Sequence, residues 1–356
     1  MTPRERVTAA FGHREPDRTP YFEYVLLSPL ADHFLGRPYA VDDGNFRRLE
    51  AERGFAAAVR QTAVDRVDLA ERLGHDLIYA WPCWPAAPAA ATPAPVTPPP
   101  PEDPVERLRQ RNAARAATPP QVSDAELLVF VSLKEELRRR DLDLPLLAPA
   151  YAHGVWTDTD LLQTMALAPD VAHAHYALAT RDVLPRVERY LELGIELIGV
   201  GGDFAGNRPL ISPAAYRAFI MPEVRTEARR VHAGGAWVVN ASDGNLWSVL
   251  DDFLVGTEVD GYLEIDAHAG MDLGRLKRGY GQRLTFLGNM DCGNVLSFAS
   301  PESVAAETVA CLRAGQGAGG HIFSASNAIT ASVPLANYLA MVNSYRGHFG
   351  LPPLRP

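Results

Sequence analysis

Cysteine and lysine are the two scarce residue types in this chain of 356 residues. The three cysteines, Cys83, Cys292 and Cys311, form no CxxC pair, which predicts structural thiols in a reduced compartment and argues against a disulfide framework or a zinc ribbon. With only Lys134 and Lys277 present, a catalytic Schiff base is disfavoured.

Several other features are missing as well. No apolar run reaches the roughly 18 residues of a membrane-spanning helix, and the opening MTPRERVTAAFGH lacks the apolar core of a secretory signal. The net charge of -9 repels nucleic acids, and no basic run offsets it. We therefore expect a cytoplasmic protein that acts on a small molecule rather than on nucleic acid or a membrane.

What the chain does contain is a repeated unit in which a short apolar run precedes a helix-period segment. This pattern is typical of βα units and a parallel sheet. Eight strands are predicted, at residues 19–26, 76–82, 144–150, 195–203, 236–241, 261–266, 284–290 and 321–326. The sequence thus predicts an α/β fold, a (β/α)8 TIM barrel, formed by residues 1–356 as a single domain.

Two segments lie outside this rhythm. Thr2, Pro3 and Glu5 have the spacing of a capping box and predict an N-terminal helical extension. The Pro/Ala-rich stretch 84–104 predicts a surface loop. A stiff solvated loop is favoured there over a lid on the barrel mouth, which stays open as an alternative.

In such a barrel the side chains that follow the strands converge on one mouth. We predict four catalytic candidates there, which are Asp203, Asp243, Asp266 and His153. Clustered carboxylates repel each other unless one is protonated or a cation lies between them, which is itself typical of a site. Capping of the next turn is the alternative for Asp203 and Asp243, and a structural role is the alternative for His153.

Further residues near the strand ends are predicted to bind substrate. They are Glu23, Trp81, Tyr151, Asn245, Asn289, Asp291 and Asn327. Gly244 lies between Asp243 and Asn245 and permits a ligand to approach the backbone closely. No metal-ligand set is predicted.

Several segments resemble the uroporphyrinogen decarboxylase-like superfamily, which includes corrinoid and coenzyme M methyltransferases. The resemblance is carried by TPRERVTAAFGHREPDRTPYFEY at the N-terminus, ISPAAYRAFIMPEV, NASDGNLW, AGMDLGRLKRGYGQRLTFLGNMD and GGHIFSASNAITASVP. It spans nearly the whole chain and implies the TIM-barrel fold and an enzyme.

The positions that are diagnostic for either known chemistry differ here. By motif match, the zinc ligands of the methyltransferases fall on Ala241, Asp243 and Asn327, which provide no soft zinc site. The arginine-rich motif of the decarboxylase is replaced by VLLSPLADHFLG, and its catalytic aspartate falls on Trp81. An arginine-poor, acidic mouth disfavours a polycarboxylate porphyrinogen.

The resemblance implies methyl, or one-carbon, transfer from a small polar or methylated substrate. Two alternatives stay open, namely a decarboxylase-type lyase acting on a small carboxylate and a non-catalytic ligand-binding barrel. The cofactor is unknown. A corrinoid carried by a partner protein follows from the resemblance alone, and a homodimer is compatible with the sequence.

Overall fold

The computed structural model describes residues 1–86 and 101–355. Most of the predicted Pro/Ala-rich loop, residues 87–100, lies outside this part of the chain, so its order and role stay predictions. The assignment of the whole chain to one domain also stays a prediction.

Seven short strands form one parallel sheet, and their order in space is their order in the chain. They are β1 (Ile78–Tyr79), β2 (Leu146–Pro149), β3 (Leu197–Gly201), β4 (Trp237–Ala241), β5 (Gly261–Leu263), β6 (Thr285–Leu287) and β7 (His321–Ile322). Each strand lies inside one of the predicted strand segments. The apolar runs identified these segments because both faces of the sheet are buried, one in the ring and the other under the helices.

The eighth member of the ring is residues 20–26, which lie in the segment 19–26 that the sequence predicts as a regular strand. They form only isolated parallel bridges, from Tyr21 to Phe323 and from Leu26 to Ile329. On their other side the Asp76 backbone N–H donates to the Tyr21 carbonyl at 2.6 Å. Pro20 has no N–H to donate, which weakens the ladder at this point. The segment nevertheless connects β1 with β7, and the predicted TIM barrel is confirmed.

The helices surround the sheet. They are α1 (Pro3–Phe11), α2 (Leu30–Leu35), α3 (Asp43–Arg53), α4 (Phe55–Leu73), α5 (Pro104–Ala117), α6 (Asp124–Arg139), α7 (Thr159–Leu167), α8 (Pro169–Glu192), α9 (Pro213–Ala215), α10 (Met221–Ala233), α11 (Leu273–Tyr280), α12 (Val295–Phe298), α13 (Pro301–Gly315) and α14 (Leu335–His348). There are two π-helical turns. Tyr216–Ile220 precedes α10, and Asp252–Gly256 lies between β4 and β5. Within the described ranges, none of the helices could cross a membrane on length and hydropathy.

The N-terminal extension covers one end of the barrel. Thr2 and Glu5 form the predicted capping box of α1. At the far end of α1, Phe11 stacks on Trp237 with ring centroids 4.9 Å apart. Because Trp237 begins β4, this contact closes the end of the ring where the strands start and leaves the other end as the mouth.

Alternate residues of the strands fill the inside of the ring. The interior residues of the ring include Phe22, Tyr24, Leu77, Tyr79, Leu147, Leu197, Val239, Ala241, Leu263, Leu287 and Ile322. The period of two along each strand produces this layer. It is apolar below the mouth and ends in tyrosines, so a polar cavity begins where the strands end.

Candidate functional site

Three carboxylates follow three adjacent strands. Asp203 comes after β3, Asp243 after β4 and Glu264 after β5. The register pairs Gly201 with Ala241 and Ala241 with Leu263. Residues that follow paired positions of parallel strands leave the sheet side by side, so the fold brings these three side chains together.

Carboxylate oxygens of Asp203, Asp243 and Glu264 lie within 4.8 Å of one another, and we call these three residues the acidic cluster. The Asp243 backbone N–H donates to Asp203 Oδ1 at 2.9 Å. Asn327 Nδ2 donates to Asp243 Oδ2 at 2.7 Å, which brings the loop after β7 to the same site. Both Asp203 and Asn327 thus hold Asp243 in place.

The environment shifts two of these carboxyl groups toward the protonated form. Burial raises the pKa of Asp243 from 3.8 to about 6; the Asn327 hydrogen bond opposes this shift, and repulsion from Asp203 and Asp266 adds to it. Burial, followed by repulsion from Asp243 and Asp203, raises the pKa of Glu264 well above its ordinary value. The site therefore combines a Glu264 whose protonated form is favoured with an Asp243 that is mainly ionised at neutral pH.

Glu264 is the residue that sequence analysis missed as a catalytic candidate. Leu263 faces the barrel interior, so strict alternation would direct Glu264 outward. Its φ of 68° breaks the alternation and turns the side chain toward the acidic cluster. A left-handed conformation in a non-glycine residue is strained and is frequent at functional sites. The only sequence signal was the position of a glutamate at a strand end.

Asp266 and Asn245, both predicted site residues, brace the loops behind the acidic cluster. Asp266 accepts from the backbone N–H groups of Gly244 at 3.3 Å and Ala269 at 2.9 Å. Asn245 Nδ2 donates to the Ala269 carbonyl at 2.8 Å. The structure thus places Asp266 next to the cluster with its carboxylate occupied by backbone donors.

Close backbone contacts hold Asp203 and Asp243 together. Gly244 has a φ of 90°, and a Cβ there would overlap the Gly206 carbonyl oxygen. No helix begins within the eight residues that follow Asp203, and its carboxylate accepts from the Asp243 backbone N–H on the neighbouring loop, so Asp203 caps no helix there. Gly244 is required because the loops after β3 and β4 touch at their backbones.

A cavity of about 360 Å³ opens beside the acidic cluster. Its described lining residues are Tyr24, Tyr151, Ala152, Gly154, Gly201, Gly202, Asp203, Ala241 and Glu264. None of these is an arginine or a lysine. Tyr151, a predicted substrate-binding residue, lies in this wall, and its hydroxyl is 3.3 Å from that of Tyr24. The cavity therefore has both aromatic and acidic side chains in its lining.

His153 is not brought to this cavity, although it was predicted to be catalytic. Its side chain is fully buried, and Nε2 lies 3.0 Å from Thr180 Oγ1 on α8. Nδ1 lies 3.5 Å from Glu227 on α10. Burial lowers the pKa of His153 to about 4. Its contacts are those of a neutral structural histidine between the barrel and the outer helices, the alternative left open from the sequence.

Three predicted substrate-binding residues also point elsewhere. Glu23 faces outward because its neighbours Phe22 and Tyr24 face inward, and it accepts from the Tyr21 hydroxyl at 2.6 Å. Asn289 contacts the Met271 carbonyl and lies at a groove between α11 and α13. Asp291 accepts from the Asn294 backbone N–H at 2.9 Å. Each of these side chains is engaged by its own local structure.

The acidic cluster has the oxygen-only ligands that hard divalent ions such as Mg²⁺ accept. It does not fit the zinc of the methyltransferases. Of the three positions that match the zinc ligands, Ala241 carries a buried methyl group, while Asn327 and Asp243 are hydrogen-bonded to each other. A thiolate-activating zinc ion has no soft ligand at these positions.

Comparisons with known proteins agree with this architecture. The family profile described as "Uroporphyrinogen decarboxylase (URO-D)" matches residues 146–348. The uroporphyrinogen decarboxylase of Azoarcus sp. (strain BH72) is 26% identical over 247 residues, 63% of this chain and 64% of that protein. The match therefore spans just under two thirds of that relative's length. The uroporphyrinogen decarboxylase of Coxiella burnetii (strain Dugway 5J108-111) is 25% identical over 263 residues, 66% of this chain and 68% of that protein.

Among solved structures, a methyltransferase from Methanosarcina mazei superposes with a TM-score of 0.70. The match covers 98% of this chain and 99% of that protein, at 16% sequence identity. At this identity the match establishes the shared fold alone.

Proposed function

Because this chain belongs to the uroporphyrinogen decarboxylase family, whose known members are enzymes, we propose that it is an enzyme that transfers a methyl group from a small, polar, methylated substrate. The substrate would occupy the cavity beside the acidic cluster. The observation that carries the proposal is the acidic cluster itself, in which three carboxyl groups meet, burial raises the pKa of Glu264, and the pKa of Asp243 is about 6.

The two carboxyl groups would have different roles. Breaking the bond between a methyl carbon and oxygen or nitrogen leaves the electron pair on the heteroatom, which then needs a proton. The raised pKa of Glu264 favours its protonated form, which would donate this proton to the leaving heteroatom. Asp243 and Asp203 would stabilise the positive charge that develops on the methyl carbon and, where present, a cationic substrate.

The methyl acceptor would be a nucleophile that attacks the methyl carbon with its own electron pair. A corrinoid held by a partner protein would supply this nucleophile if the chain works like the corrinoid methyltransferases that it resembles. The tyrosines Tyr24 and Tyr151 also line the cavity and favour a methylated, weakly hydrated substrate group. No step is assigned to zinc, since its ligand positions do not fit.

Decarboxylation of a porphyrinogen is the second candidate, because the curated relatives above carry that name. Its substrate presents several carboxylates, which arginine side chains would have to bind. The described lining of the cavity offers none. Negative charge at the mouth would instead repel a polyanion, and this favours methyl transfer over decarboxylation.

The test is an assay with free cob(I)alamin as methyl acceptor and a panel of small methoxy and N-methyl compounds as donors. Methylcobalamin formation is followed by visible absorbance, and carbon dioxide release from uroporphyrinogen is measured in parallel. We expect methyl transfer with at least one donor and a loss of about 10²-fold or more in Glu264→Gln. Glu135→Gln, an exposed residue of α6, is the matched control and should keep full activity.

Release of carbon dioxide without methyl transfer would replace this proposal by the decarboxylase. Equal rates in Glu264→Gln and Glu135→Gln would remove Glu264 from the chemistry. If the protein bound a small ligand but turned over none of the compounds, the non-catalytic barrel would be the better interpretation.

A further inference from the structure

Arg66 on α4 is a buried cation without a carboxylate partner among the described residues. Arg66 is only 6% exposed to solvent. Nη1 donates to the Tyr79 carbonyl at 2.8 Å, whereas Nε has no hydrogen-bond partner in the part of the chain that the structure describes. Its neighbour Asp65 is paired with Arg37 instead. A buried charge in this condition is costly unless an anion accompanies it.

A second cavity, separate from the one beside the acidic cluster, adjoins this guanidinium. It has a volume of about 290 Å³ and lies between α3, α4 and the segment after β1. Phe46, Trp81, Pro82 and Trp84 form its apolar walls, and Arg66 forms part of its lining. We call this cavity the Arg66 pocket. Its size is close to the lower end for small-molecule sites, and its walls are flat aromatic surfaces.

The charges around the Arg66 pocket determine which ligand it suits. Arg47, the other cation in the lining, already contacts Asp43 at 3.3 Å and Glu50 at 2.8 Å. Asp43 is itself largely exposed to solvent. Among the described residues, no carboxylate compensates the positive charge of Arg66, and a single charge matches one carboxylate better than a dianionic phosphate.

The contact between Arg66 and Trp81 supports the same conclusion. The guanidinium carbon lies 4.2 Å from the centre of the Trp81 ring. Stacking fixes the plane of the guanidinium and leaves its edge to hydrogen-bond an acceptor in that plane, as a carboxylate does. Trp81 was predicted to bind substrate at the mouth, and the structure places it in this neighbouring cavity.

We infer that the Arg66 pocket binds a small monocarboxylate with a flat apolar body, of which benzoate is the simplest probe. The carboxylate would pair with Arg66, and the ring would lie between Trp81, Trp84 and Phe46. The acidic cluster would repel the same anion, so the two cavities take ligands of different charge. This inference does not depend on the methyl-transfer proposal.

Calorimetric titration with sodium benzoate tests the inference. We expect saturable binding to the wild type and an affinity loss of about tenfold or more in Arg66→Met, as for a hydrogen bond to a charged group. Arg60→Met, an exposed position on the same helix, should bind as the wild type does. Benzamide, which has the same shape without the charge, should bind more weakly than benzoate.

Thermal melts distinguish a binding role from a purely structural one. Benzoate should raise the melting temperature of the wild type and of Arg60→Met, but not that of Arg66→Met. Should Arg66→Met fail to fold, Arg66→Lys keeps the charge without the planar fork and should bind benzoate more weakly than the wild type. Equal benzoate affinity in the wild type and either Arg66 variant, or no saturable binding to the wild type, would overturn the inference.

Discussion

Asp243 is hydrogen-bonded to two other residues that follow strands of the sheet. Its carboxylate accepts from Asn327, and its backbone N–H donates to Asp203. The sequence predicted that these three residues meet, because each follows a strand of the same parallel sheet. It could not predict that Glu264 joins them, since this depends on one left-handed backbone angle. It also could not reveal that His153 and Glu23 face the outer layer, because a shift of one residue reverses the direction of a side chain.

The raised pKa of Asp243 predicts a pH-dependent stability difference. A group whose pKa is raised by folding contributes stability that is complete below its unfolded pKa, about 4, and is lost as the pH rises through about 6. Asp243→Asn cannot titrate, so the variant should gain stability relative to the wild type between pH 4 and pH 7. Melting temperatures of both proteins over this range measure the difference. Acids remote from the acidic cluster titrate in both proteins and cancel. Removing the Asp243 charge also relieves its repulsion of Glu264, which adds to the gain of the variant at the upper end of this range. A pH-independent difference would contradict the assignment.

Gly244 provides a second prediction at this scale. Its φ of 90° and the nearby Gly206 carbonyl leave no room for a side chain. Gly244→Ala should destabilise the protein by about 1–3 kcal/mol or more. Gly279→Ala is the matched control, because Gly279 lies in α11 and no atom stands close to where the added methyl group would lie, so it should be neutral or stabilising by about 0.5–1 kcal/mol. Chemical denaturation of the two variants compares them, and equal stabilities would refute the steric argument.

Among the elements, the segment 20–26 depends most on side chains for its place in the ring. Its few bridges leave it with less backbone pairing than β3 or β4. Asp76, which precedes β1 and is fully buried, accepts from the Tyr21 backbone N–H at 3.0 Å. Arg18 and Arg6 donate to the same carboxylate at 2.5 and 3.1 Å. These contacts connect α1, the segment 20–26 and the residue that precedes β1.

Removing the charge of Asp76 should therefore be costly. Asp76→Asn removes the negative charge that Arg18 and Arg6 share and one of the two carboxylate oxygens that accept from them. We expect a loss of about 3 kcal/mol or more in the free energy of unfolding. Asp17 is the natural control, since it also pairs with Arg6 but its side chain is 44% exposed. Asp17→Asn should lose no more than about 1 kcal/mol. Both variants are measured by urea denaturation. Equal losses in the free energy of unfolding would contradict the prediction that the buried carboxylate contributes more to stability than the exposed one.

Across the whole molecule, the closed ring of βα units was the feature most readily predicted from the sequence. Apolar strand runs of period two and helix-capping residues such as Thr2 are local signals, and they repeat along the chain. The irregular pairing of the segment 20–26 was not predicted, because it depends on Pro20 and on contacts with Phe323 and Ile329, which are distant in the sequence. The Arg66 pocket was not predicted either, since it combines residues of α3, α4 and the segment after β1.

The acidic cluster is the centre of this account, and a crystal structure with a bound substrate tests it most directly. The crystals would be grown near pH 7 with the methylated compound that gives the fastest transfer to cob(I)alamin. We predict that the heteroatom bearing the methyl group lies within hydrogen-bonding distance of Glu264, with Asp243 and Tyr151 beside it. A substrate bound in the groove between α11 and α13, or in the Arg66 pocket with the acidic cluster untouched, would contradict the account.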